Sequence, residues 1–322
     1  LIIASNKNLH IVLLGCGFAS KIHSRTIRSV DTGVDISFAS RSEAKSKDYA
    51  KKYKGKNSYA SYGAAIQDPE IDVVMINTPP ASHFDLAKRA LTQGKHVIVE
   101  KPPFKSSDDF DTLASIADSN KVQLMVAENY YYKPLRYKLV ELLQSGVIGK
   151  PLFINISATK KQNNEDWRND PFQSFYGALF EGGIHWINFI NNLGYKIKKI
   201  GGIVPGDPLA MEKSIQVTAQ TENGPVINIS YSWEVDTLLK GVFRKSRIYG
   251  TEGSISFETN GIYIFVRGKK IRLYFPKILD IAGYKAMFKD FIKAIRTETP
   301  PSFTWQMAKQ DLVFIENIYK TK

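Results

Sequence analysis

A lysine at the end of a strand, and a helix that carries a carboxylate, an imidazole and an amide, are the first chemical signals in this chain. The stretch HVIVEKPPF (96–104) runs a short apolar segment straight into Glu100, Lys101 and two prolines. A strand ordinarily gives way to small polar turn residues. Lys101 held stiff by Pro102 and Pro103 could polarise or protonate a carbonyl. Lysyl-prolyl bonds take the cis form more readily than other peptides, so Pro102 can fix the direction of the lysine. Further on, the segment 166–194 reads DWRNDPFQSFYGALFEGGIHWINFINNLG. If a helix starts near residue 179, Glu181, His185 and Asn188 fall at spacings of four and three, on one face. That stripe suits proton handling. A helix whose histidine packs on apolar neighbours and whose glutamate is solvated fits the same spacing.

A third signal is GCGFAS (15–20), which supplies the first two glycines of G-x-G-x-x-G. Gly15 permits a tight turn, and Gly17 lets the backbone approach a pyrophosphate at a helix N-terminus. Ser20 takes the third position, where a small residue allows close packing. Phe18 and Ala19 complete the loop. The end of the second strand reads FASRSEAK: Ser40, Arg41, Ser42 and, one turn later, Lys45. A site for NAD usually has a carboxylate here for the ribose hydroxyls. Arginine and serine hydroxyls would instead bind a 2′-phosphate, so NADP is expected over NAD.

These residues need a scaffold, and the hydrophobic pattern supplies one. A solid apolar run at 9–14 is followed by similar runs at 34–39, 72–77, 96–99 and 122–127, as in strands covered on both faces. Between them lie helical stretches such as 82–93, where Ala87, Ala90 and Leu91 share a face and Gly94 is a natural stop. This alternation predicts a doubly wound parallel sheet over residues 1–127. In such sheets ligands sit beyond the strand carboxyl ends. INTPPASH (76–83) and VEKPP (99–103) both leave strands at that edge, so Lys101 is expected in the crevice. Residues 128–322 change pattern. INISYSWEV (227–235) alternates apolar and polar residues as a half-buried antiparallel strand does. Further strands are expected at 213–220, 242–249, 253–258, 261–266 and 270–274, with Asn260–Gly261 as a hairpin turn. Helices are expected at 281–297 and 304–320. The fold class is therefore α/β: a Rossmann domain plus an α/β domain with a large, mostly antiparallel open sheet.

Composition narrows the function. The 322 residues carry 43% hydrophobic and 23% charged side chains and no apolar run long enough to span a membrane. The formal charge of +13 raises nucleic-acid binding, but the lysines are scattered and no nucleic-acid module is present. The single cysteine, Cys16, excludes an internal disulfide and fits a reducing, cytoplasmic compartment. With no His/Cys/carboxylate cluster at ligand spacing, no catalytic metal is expected. The chain opens LIIASNKNLH without methionine, so a trimmed start is expected and a removed signal peptide stays open.

Taken together, GCGFASKIHSRTI, INTPPASHFDLAKRALTQGKHVIVEKPP, GVIGKP and WRNDPFQSFYGALFEGGIHWIN resemble the glucose-fructose oxidoreductase / inositol dehydrogenase (Gfo/Idh/MocA) family, in order and over the whole chain. The resemblance implies reversible hydride transfer between NAD(P) and a hydroxyl of a sugar, cyclitol or related compound. It also implies a homodimer or homotetramer formed through the C-terminal sheet. By position, Lys101 matches the lysine that contacts the reacting oxygen, and His185 the general acid/base. Glu181 stands where the family usually has aspartate, and Asn188 replaces another frequent aspartate. Phe175 and Tyr176 stand where many members have glycines, narrowing the expected pocket. By the same logic Asn77, Thr78, Pro79 and His83 should run beside the ribose and pyrophosphate, and Glu100 beside the nicotinamide ribose. Asn129 and Tyr130 should continue the pocket after Glu128, and Trp167 and Arg168 should meet substrate or a neighbouring subunit. His10, His23 and His96 read as structural or exposed. Two further readings share this scaffold: a redox glycosidase with retained NAD, and a non-catalytic ligand sensor.

Overall fold

The computed structural model describes residues 8–162, 167–207 and 209–322; Asp166 and the first seven residues, which the sequence reading used, lie outside them. The chain divides into two compact units. One holds the chain up to Glu128 together with Tyr284–Lys309, and the other holds Asn129–Gly283 and Gln310–Lys322. The sequence pattern places residues 128–322 in a single second domain. The correction is the return of 284–309: the helix Tyr284–Arg296 packs on the first helix of the chain.

The first unit is built from β1 (Leu9–Leu14), α1 (Phe18–Val30), β2 (Val34–Ala39), α2 (Glu43–Tyr53), β3 (Ser58–Tyr59), α3 (Tyr62–Gln67), β4 (Val73–Ile76), α4 (His83–Thr92), β5 (His96–Val99), α5 (Asp109–Ser119) and β6 (Leu124–Val126). The six strands are all parallel, in the order β3-β2-β1-β4-β5-β6. Strand order reverses between β1 and β4, and a ligand crevice opens at such a point. The continuous apolar runs have the cause expected of them. Every residue of β1 and β4 is buried, because helices cover both faces of the sheet. Each such Val, Ile or Leu contributes about 1.5–3 kcal/mol relative to exposure.

The second unit contains α6 (Pro134–Gln144), β7 (Pro151–Thr159), α7 (Pro171–Ser174), α8 (Ile184–Asn191) and β8–β14. Those strands are Ile197–Ile203, Ser214–Thr221, Val226–Ser232, Lys245–Gly250, Gly253–Glu258, Ile264–Arg267 and Ile271–Tyr274. They form one sheet in the order β14-β13-β12-β11-β7-β10-β9-β8, antiparallel throughout except for the parallel pair β7–β10. Alternation decides the faces. Ile227, Ile229 and Tyr231 of β10 point into the core, while Asn228 and Ser230 point outward. There Asn228 donates to Asn155 and accepts from Thr218, at 3.2 and 2.9 Å. The two closing helices are α9 (Tyr284–Arg296) and α10 (Trp305–Tyr319), and the division between units falls within α10.

Candidate active site

Strand register lines up one half of the site. Ala39, Leu14, Ile76, Val99 and Val126 are successive partners across β2, β1, β4, β5 and β6. The residues that follow them, Ser40, Gly15, Asn77, Glu100 and Ala127, therefore form a row along the carboxyl edge. The ladder extends one step into this row. Gly15 donates to Ala39, Asn77 to Leu14 and Glu100 to Ile76, each at 2.9 Å, and Ala127 donates to Val99 at 2.8 Å. Residues scattered from 15 to 127 are thus brought to one edge by main-chain pairing alone.

At the β1–α1 turn Gly15 has φ +98°, and a Cβ there would stand 3.0 Å from the Asn77 carbonyl oxygen. Only glycine fits both demands. Gly17 is different: its φ is −120° and nothing lies within 4 Å of where its Cβ would be. It is exposed at the N-terminus of α1, which has no side-chain cap and no acidic residue in its first turn. The free N–H groups and the positive end of the helix dipole there suit an anion. Asn77 Nδ2 donates to Ser20 Oγ at 2.8 Å, and Asn77 Oδ1 is buried with no protein partner. An open glycine, an uncapped helix and an orphaned amide oxygen fit a dinucleotide. Gly15, Gly17, Phe18, Ala19 and Asn77 would hold it. Ser20 is fully buried and donates to the Gly15 carbonyl, so it braces the turn.

The β2 exit is polar. Ser40 Oγ accepts from Ser42 N at 3.2 Å, and Ser42 caps α2 by accepting from Lys45 N at 3.4 Å. Arg41 and Lys45 are exposed. Two tyrosines that the sequence reading missed adjoin this patch. Tyr49 donates to the Gly17 carbonyl at 3.1 Å. Burial pushes the Tyr62 hydroxyl up in pKa, and the Arg41 guanidinium beside it draws it part of the way back. Cys16 lies nearby, its thiol pushed up to about 11 by burial against the opposing pull of Lys45.

Around Lys101 the turn is held from both sides, and its Lys101–Pro102 bond is cis. His83 is 1% exposed. Its Nδ1 lies 3.1 and 3.0 Å from the Pro102 and Pro103 carbonyls, and its Nε2 lies 2.7 Å from the Thr78 carbonyl. Burial lowers its pKa against those carbonyls. Both ring nitrogens therefore face main-chain carbonyls, and His83 braces the Lys101 turn. Glu100 is engaged as well. His23 Nε2 meets its Oε1, and Lys101 N donates to its Oε2 at 3.0 Å. Burial pushes the Glu100 carboxyl up, but the His23 hydrogen bond and Lys101 outweigh it, leaving it below the usual range. Thr78 is buried and accepts on its hydroxyl from Ser82 at 2.7 Å, and Pro79 follows it at the edge.

The second unit carries the other candidates. The helix does begin at Leu179, but its first stretch, Leu179–Gly183, is a π-helix that runs into α8. Such wide turns recur at functional sites. Glu181, 6% exposed, sits in it and accepts from Arg168 Nε at 3.0 Å. Arg168 in turn lies 4.7 Å from the Trp167 ring centroid. His185 is half-buried and stacks on Tyr130, centroids 4.3 Å apart and planes 13° from parallel. The Lys133 ammonium is 4.4 Å from the same Tyr130 ring. Asn129 is buried and donates to the Ala282 carbonyl at 2.6 Å, which makes it a brace. Asn188 is also corrected. It is fully buried and donates to Asp311 at 2.7 Å, so it faces the core and not a ligand.

The π turn is fixed by groups that no local pattern marks. Glu212 Oε1 accepts from Leu179 N at 3.0 Å and from the Tyr319 hydroxyl at 2.7 Å, and that hydroxyl accepts from Phe180 N at 3.2 Å. Tyr176 stacks on Tyr319 with centroids 4.9 Å apart. A side chain at Gly177 would overlap the Glu212 carboxylate, which explains that glycine. Among the described residues no three His, Cys, Asp or Glu are placed to hold a metal ion, and no helix is long and apolar enough to cross a membrane.

Comparison with known proteins assigns the family. Residues 9–128 match the family described as "Oxidoreductase family, NAD-binding Rossmann fold", and residues 137–256 match "GFO/IDH/MocA C-terminal domain". The chain belongs to the Gfo/Idh/MocA family. It is an oxidoreductase with an NAD(P)-binding Rossmann fold. Curated Gfo/Idh/MocA-like relatives include levoglucosan dehydrogenase of Pseudarthrobacter phenanthrenivorans, 26% identical, covering 78% of this chain and 74% of the relative. Oxidoreductase P35 of Formosa agariphila is 27% identical over 76% of this chain and 78% of its own. Two solved structures share the fold. One is levoglucosan dehydrogenase in complex with NADH and levoglucosan: TM-score 0.83, 21% identity, 98% and 97% coverage. The other is KijD10, a 3-ketoreductase from Actinomadura kijaniata, with NADP and TDP-benzene: TM-score 0.86, 17% identity, 97% of each chain.

Proposed function

We propose that this oxidoreductase uses NADP(H) to interconvert a hydroxyl and a keto group on a sugar, cyclitol or related small molecule. The observation that carries the reading is the row Ser40, Gly15, Asn77, Glu100 with Lys101 beside it, at the carboxyl edge of the first sheet. The chemistry supplied there by a bound nicotinamide cofactor is hydride exchange at the alcohol carbon. In oxidation His185 accepts the hydroxyl proton at a ring nitrogen, and the Lys101 ammonium stabilises the developing negative charge on that oxygen. In reduction His185 returns the proton while Lys101 polarises the carbonyl. Glu181, held by Arg168, accepts hydrogen bonds from neighbouring hydroxyls, and Tyr130, Trp167 and Tyr176 offer rings for the apolar face of a sugar.

The preference for the phosphorylated cofactor is supported by the exposed Arg41 and Lys45 beside Ser40 and Ser42. Solved structures of this fold are described with NADH and with NADP, so the fold leaves the choice to these side chains. The +13 charge is read as a solvated basic surface, or as attraction to phosphorylated ligands, and not as a nucleic-acid site. Self-association is proposed through the outer face of the eight-stranded sheet. Phe153, Tyr249, Phe265 and Leu273, 37–54% exposed, share that face by register.

The test is a screen of sugars, cyclitols and ketosugars against NADP(H) and NAD(H), followed by nicotinamide absorbance. Turnover with at least one carbohydrate-like alcohol or ketone, faster with NADP(H), is expected. A Lys101→Met enzyme with unchanged kcat would overturn the mechanism.

A further inference from the structure

His23 was read from sequence as structural or exposed, and no step of the proposed mechanism uses it. It is 1% exposed in α1, and its ring meets Tyr284 and Phe288 of α9 edge-on, at 5.7 and 5.3 Å between centroids. An imidazole in such an aromatic slot could be replaced by an aliphatic side chain if packing were its only task. Yet its Nε2 is aimed at Glu100 Oε1, 77 residues away, while its Nδ1 is buried without a partner. A carboxylate only accepts, so His23 donates from Nε2.

The second oxygen of that carboxylate accepts the Lys101 N–H at 3.0 Å. The next two residues are prolines, which bring no N–H to the turn. The turn therefore cannot knit itself together with its own backbone donors after Lys101. The Lys101 amide is the one main-chain donor between Glu100 and Phe104, and its acceptor is the other oxygen of the carboxylate that His23 holds.

We propose that His23 is a positioning residue for Lys101: it locks the Glu100 carboxylate in the orientation that accepts the Lys101 amide, and so fixes where the lysine side chain starts. This rests on the role given to Lys101 above. It adds a relay from the cofactor-binding helix α1 through the half-buried Glu100 carboxylate to the reacting end of β5.

Hydrogen–deuterium exchange on a peptide covering residues 97–104 tests it, because the prolines leave few amides there. His23→Leu and His23→Met keep the apolar packing and remove the donor; His23→Gln keeps an N–H. The Lys101 amide is expected to exchange at least tenfold faster in the Leu and Met variants and to return most of the way to wild type in Gln. His10→Leu removes another buried histidine of the same unit, one that meets Ser37 and not the turn, and should leave this amide unchanged. In turnover, kcat should fall at least tenfold in the Leu and Met variants while NADPH affinity by fluorescence stays within twofold. An unchanged Lys101 amide in both the Leu and Met variants, equal acceleration in His10→Leu, or no rescue by Gln overturns the proposal. If Lys101→Met is fully active while the exchange pattern holds, the catalytic reading fails and the positioning relay stands.

Discussion

Arg41→Ala tests cofactor choice at a single side chain. Arg41 is exposed at the β2 exit, between Ser40, which accepts the Ser42 amide, and Ser42, which caps α2. Both hydroxyls use an oxygen as acceptor within the loop, and under the proposed NADP preference their O–H groups donate to the 2′-phosphate. The guanidinium supplies the charge. A charge-assisted hydrogen bond contributes about 1.5–3 kcal/mol, and exposure to solvent places this one near the bottom of that range, about 1.5–2 kcal/mol. At 1.4 kcal/mol per decade, the ratio of NADPH to NADH affinity should drop about 10–30-fold. Titration of nicotinamide fluorescence gives both dissociation constants for the wild-type and variant proteins. Repeating it at 50 and 500 mM salt should narrow the wild-type preference, because ions screen an exposed contact. NADH affinity should move by less than about twofold. A wild-type protein that prefers NADH, or a variant that weakens both cofactors equally, would refute the assignment of this loop.

Gly15→Ala should cost about 2 kcal/mol of stability, from a left-handed backbone and a Cβ 3.0 Å from the Asn77 carbonyl. Gly17→Ala, with open space at its Cβ, should leave the melting temperature unchanged and weaken cofactor binding; equal melting losses in both would contradict the division of roles. Tyr319→Phe should cost about 2–3 kcal/mol by leaving the buried Glu212 carboxylate and the Phe180 N–H short of a partner, and denaturant unfolding would show it. Burial lowers the pKa of both His10 and His83 below the ordinary 6.5. The unfolded chain therefore binds more protons just below pH 6.5, so stability is complete above that value and is lost as pH falls through it. Glu100, lowered from 4.5, adds a second loss as pH falls below about 4.5. Melting temperatures that rise on acidification from pH 7.5 to 5.5 would contradict both histidine assignments.

Much of this architecture is legible in local sequence. The runs at 9–14 and 34–39 match β1 and β2 residue for residue, because strands covered on both faces are marked by mostly apolar residues, even where Asp35 and Ser37 interrupt the second. The glycine turn was equally readable, since a left-handed residue and a close approach both demand glycine. β8, IKKIGGI, escaped notice because its exposed lysines and paired glycines blur the alternation. The π turn at Leu179–Gly183 has no local signature; it is held by Glu212 and Tyr319, far along the chain. Asn188 looked like a site residue because helical spacing reports a face and not what the face meets, and its partner Asp311 lies 123 residues away. His23 and Glu100 were each visible singly, but a pair 77 residues apart needs the sheet to bring it together. The return of α9 to the first unit is likewise a long-range packing choice, and its amphipathic pattern alone could not assign it.

The central proposal is that Lys101 and His185 both serve the hydride-transfer step. A double-mutant cycle with Lys101→Met, His185→Asn and the double variant, read as kcat with NADPH affinity measured in parallel, tests it most directly. Each single change should lower kcat at least a hundredfold with cofactor affinity within about threefold, and the double variant should be scarcely worse than the poorer single. Losses that multiply as for independent sites, or full turnover in either single variant, would contradict the account.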